Sequence, residues 1–67
     1  MAHYEPKEID LDKPLAQQVK PSDMITGIGE IDTIKMGGVL DISRRFISWY
    51  EVREILDNGG KVFEKVD

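Results

Sequence analysis

Residues 47–60, ISWYEVREILDNGG, mark a helix at both ends, and no other stretch of the 67-residue chain carries so complete a set of start and stop signals. Ser48 fits the N-cap. Glu51, three residues on, completes a capping box in which hydroxyl and carboxylate each accept an orphan backbone N–H. Ile47 before the cap and Val52 at the fourth helical position form a hydrophobic staple. At about 100° per residue, Trp49, Val52, Ile55 and Leu56 gather on one arc, with Tyr50, Glu51, Arg53, Glu54 and Asp57 around the rest. Asn58-Gly59-Gly60 supplies residues that tolerate positive φ for the C-terminal cap. A single amphipathic helix must cover something, and the remaining chain has to provide a sheet.

Extended segments flank it. Residues 24–36 place Ile25, Ile28, Ile31, Ile34 and Met36 among Gly, Thr and acidic side chains; a helix would suit the isoleucine spacing, but Gly27 and Gly29 would each cost it about 1 kcal/mol. After Gly37-Gly38, residues 39–46 read as a second strand, and residues 61–66 resume as a short third one. A two-residue Gly37-Gly38 loop scatters the apolar residues over both faces. A three-residue loop pairs Met36 with Leu40, Ile34 with Ile42 and Asp32 with Arg44. It lines one face with Ile28, Ile34, Met36, Leu40, Ile42 and Phe46 and turns Ile31, Thr33, Lys35, Asp41, Ser43 and Arg45 the other way. The expected fold class is therefore α+β: a small β-β-α-β domain over residues 24–67, a three-stranded, mainly antiparallel sheet with one helix packed on one face and Trp49 as the largest buried block.

Residues 1–23 hold all three prolines and show no strand alternation, so they read as an extended N-terminal arm, flexible or partner-docking. Within the arm Asp12 and Pro14 could open a short turn, with Leu11, Leu15 and Val19 on one side before Pro21 ends it. So short a chain without cysteine has neither disulfide nor thiolate-metal staple. Self-association as a homodimer is the staple that remains.

The chemistry available is thin. Thirteen acidic against nine basic residues leave a net charge of -4, which opposes non-specific attraction to nucleic acid or anionic lipid. No apolar run approaches a membrane span and no secretory leader is evident, so the expectation is a cytoplasmic protein with no membrane partner. His3 sits in the tail, the serines lack a base-and-orienter set, and Ser48 reads as a cap. The EID tripeptides at 8–10 and 30–32 lack the glycine and terminal glutamate of a calcium loop. Gly27-Ile28-Gly29 lacks both the third glycine and the βαβ room of a dinucleotide loop. No enzyme activity, cofactor, metal or small-molecule substrate is expected.

What remains is interaction. Tyr50 lies off the apolar arc and with Arg53 offers a Tyr/Arg pair of the kind that interfaces favour. Arg44 and Arg45 beside Phe46 form the one basic spot, and Leu11 and Leu15 are the arm's apolar contacts. These six are the candidate partner-binding residues. The expected function is a small non-enzymatic protein-interaction module: an adaptor, a regulatory or inhibitory factor, or an assembly subunit, with the acidic look of phage or mobile-element accessory products. The alternatives are a nucleic-acid-binding β-ribbon protein using Arg44 and Arg45, or an acidic DNA-mimic inhibitor.

Overall fold

The computed structural model describes residues 3–66. It is α+β, with six strands where three were expected: β1 (His3–Lys7), β2 (Met24–Ile25), β3 (Gly29–Ile34), β4 (Gly38–Asp41), β5 (Phe46–Ser48), helix α1 (Trp49–Asp57) and β6 (Val62–Val66), with a 3-10 turn at Leu15–Gln17. The strands form one sheet in the order β1-β6-β2-β3-β4-β5. Every neighbouring pair is antiparallel.

The extra strands arise where a long extended segment is folded on itself. Gly27 at φ 80° and Gly29 at φ 101° turn the first segment sharply, so that Ile25 pairs with Gly29 and β2 becomes a separate strand. Asp41 turns the second. Its carboxylate accepts the N–H groups of Ser43 and Arg45 at 2.9 Å each, splitting the segment into β4 and β5.

The hairpin register also differs from both of the expected ones. Ile34 pairs with Val39 and Thr33 with Leu40, which leaves Met36 and Gly37 as the tip, and a β-bulge at Asp32 then sets Ile31 opposite Asp41. A slip of an odd number of residues exchanges the two faces. Ile31, assigned to the outer face, is 1% exposed in the core, whereas Met36 is 98% exposed, and Ile42 and Phe46 are exposed too. The glycine that the hairpin requires is Gly38, where a Cβ would lie 2.2 Å from the Ile47 carbonyl oxygen of β5.

The helix forms between its expected ends, with the hydroxyl half of the capping box in place. The Glu51 N–H donates to Ser48 Oγ, and Val52 is fully buried. Gly59 adopts φ 94°, the Gly60 N–H reaches the Ile55 carbonyl at 2.9 Å and the Gly59 N–H the Leu56 carbonyl at 3.3 Å, the two bonds of a Schellman cap. The helix lies against β4, β5 and the 3-10 turn. Trp49 is half-buried at the margin of the core and not its centre.

Residues 3–23 do not behave as an arm. β1 pairs along its whole length with β6, and Leu15 and Val19 are buried in the same cluster as Ile25, Ile31, Val39, Ile47, Val52 and Val62. Lys7 Nζ meets the Asp23 carboxylate at 2.6 Å, with both side chains largely buried, and clips β1 to the turn before β2. The Gln18 side chain accepts the Asp10 N–H at 2.7 Å and donates to the carbonyls of Asp10, Lys13 and Pro14, gathering the proline-flanked segment around itself. A radius of gyration of 10.9 Å matches the roughly 11 Å of a compact domain this long.

Candidate interaction groove

The hairpin tip between β3 and β4 meets the first turn of α1, and their junction is fixed by hydrogen bonds. The Trp49 indole N–H donates to the Met36 carbonyl at 3.0 Å and is shared with the Lys35 carbonyl at 3.2 Å; the Trp49 backbone N–H reaches the Gly37 carbonyl at 3.2 Å. Three consecutive carbonyls of the tip are thus held by one residue. The tip's backbone is tied to the helix, yet it presents an apolar side chain to water.

From the other side, residues 11–16 close the wall of an open groove of about 560 Å³ lined by Leu11, Pro14, Leu15, Met36, Trp49 and Tyr50, with Asp12, Lys13 and Arg53 also contributing. Tyr50 is 73% exposed and lines the same groove as Met36. The structure therefore brings together four of the six candidate residues: Tyr50, Arg53, Leu11 and Leu15. Leu15 serves as floor, since it is buried in the core and offers a partner little surface. Met36 and Trp49 were missed as groove residues because both were assigned to the core. The sequence signal for Met36 is a large apolar residue beside a glycine pair, at a turn where polar residues prevail.

Arg44 and Arg45 are elsewhere, on the β4–β5 turn at the opposite end of β4 from Met36. Arg45 donates from Nε to Asp41 at 2.9 Å and its terminal nitrogen lies at the same distance. The backbone N–H of Arg45, then its side chain, and the N–H of Ser43 hold the Asp41 carboxyl below the usual aspartate range in spite of burial. Arg45 is committed to this fold contact. Arg44 is exposed and takes φ 67°, a left-handed backbone that L-residues seldom adopt. A ribbon that reads nucleic acid through both arginines would have one of them already neutralised.

His3, assigned to the tail, lies in edge strand β1 with its Nε2 at 3.3 Å from Glu5, both exposed. No helix among the described residues is long and apolar enough to cross a membrane. No protein-family model, curated protein or solved structure matches this chain.

Proposed function

We propose that the protein is a small non-enzymatic interaction module of the cytoplasm that docks another protein in the groove between the β3–β4 tip, α1 and residues 11–16. The observation that carries this reading is Met36: a large apolar side chain left 98% exposed on a turn whose carbonyls are all pinned by Trp49. Preorganisation of this kind lowers the entropic cost of binding. Tyr50, Trp49, Met36 and Arg53 are also the residue types enriched where interfaces concentrate their energy. Its work is that of an adaptor, inhibitor or assembly subunit.

The test uses Met36→Glu. Because Met36 touches so little, thermal stability should stay within about 0.5 kcal/mol of wild type. A partner captured by wild type, identified and reconstituted in purified form, should bind the variant at least about tenfold more weakly by calorimetry. If every reconstituted complex is indifferent to Met36→Glu, the groove is not where this protein works.

A further inference from the structure

We propose that the groove's occupant is an acidic peptide segment of another protein, in which one large apolar residue seats between Met36, Tyr50 and Pro14 and a neighbouring carboxylate is held by Lys13 and Arg53. This rests on the docking reading above. It follows from a mismatch between the charge of the groove and that of the whole molecule. The chain carries thirteen acidic and nine basic residues. The groove, in contrast, is lined by two cations and a single carboxylate, that of Asp12.

Both cations are available. Lys13 has no ion-pair partner among the described residues. Arg53 reaches Asp57 only at 3.9 Å, with both side chains about half exposed, a separation and exposure at which an ion pair contributes little. The guanidinium fork suits two-point contact with a carboxylate. The alternatives fit less well. A basic segment would set like charges together, and a purely apolar one would strip water from Lys13 and Arg53 with no compensating contact. A second copy would bring a further net charge of -4 towards this one.

The experiment displays random peptides on phage, selects on the full chain and removes every clone that also binds the Met36→Glu variant. Surviving sequences should share a bulky apolar residue with Asp or Glu beside it. A synthetic consensus peptide should bind the chain more tightly as salt is lowered and lose about tenfold or more in affinity on Lys13→Glu/Arg53→Glu. A Met36-dependent consensus without an acidic position overturns the acidic occupant and leaves docking at the groove standing. A concentration-dependent dimer that Met36→Glu dissolves makes the occupant a second copy and likewise overturns this assignment alone. No Met36-dependent peptide at all, with no such dimer, overturns both.

Discussion

Asp41 shows how a buried charge can organise a turn. It is 2% exposed, and the hydrogen bonds its carboxylate accepts all come from within four residues along the chain: the N–H groups of Ser43 and Arg45 and the Arg45 guanidinium. Those donors favour the ionised form, so the folded carboxyl titrates below the ordinary aspartate value of 3.8. A depressed folded pKa contributes stability that is complete above the unfolded value and is lost as pH falls from there through the folded one. Denaturant melts taken between pH 7 and pH 2 should therefore lose stability below about pH 4, and Asp41→Asn should be less stable at neutral pH with a shallower acid limb. A variant with the wild-type pH profile would show that the turn does not depend on this charge. Arg44, three residues on, sits in the left-handed region with no glycine to ease it. Arg44→Gly should raise stability by about 1 kcal/mol in thermal melts, because the strain relieved exceeds the entropy added to the unfolded chain. A fall in stability would show that the Arg44 side chain holds the fold through contacts.

At the scale of elements, the informative case is the segment from Ile9 to Lys20. It contains one short 3-10 turn and no strand, yet a single side chain, that of Gln18, meets the Asp10 N–H and the carbonyls of Asp10, Lys13 and Pro14, alongside local turn bonds such as Lys13 N–H to the Asp10 carbonyl. Gln18→Ala should destabilise the protein by about 1–2 kcal/mol, and hydrogen exchange should quicken first at Asp10, whose N–H loses its acceptor. Exchange rates unchanged in that segment would mean that Leu15 and Val19 alone hold it. The same segment forms one wall of the groove, so a loosened wall should weaken binding there even though Gln18 does not line it. Helix α1 behaves differently. Its caps are local: Ser48 Oγ accepts the Glu51 N–H at one end and the glycine cap closes the other.

For the whole molecule, residues 3–23 belong to the same folded unit as the rest of the sheet. β1 forms an edge of the sheet against β6, Lys7 pairs with Asp23, and Leu15 and Val19 occupy the core. Deleting residues 1–21 should leave a protein without cooperative unfolding and with lost near-ultraviolet dichroism, since a buried cluster of eight side chains would lose two. A truncated chain that folds and melts cooperatively would restore the reading of an independent arm. The free edge of β1 carries Pro6, which has no N–H to donate and so discourages edge-to-edge pairing.

What the amino-acid order determined by itself is what depends on near neighbours. Helix α1, its N-cap, its glycine cap, the strand character of residues 29–34 and 62–66 and the Tyr50/Arg53 pair one helical turn apart all follow from contacts within about five residues. What only the tertiary structure decided is what depends on distant pairing. The slide of the hairpin register, together with the bulge at Asp32, put Ile31 into the core and Met36 into water. Long-range packing drew Leu15 and Val19 inward and made six strands from three extended segments and a supposed tail. Alternation along a strand says that two faces differ; which one is covered is decided by the elements that arrive to cover it.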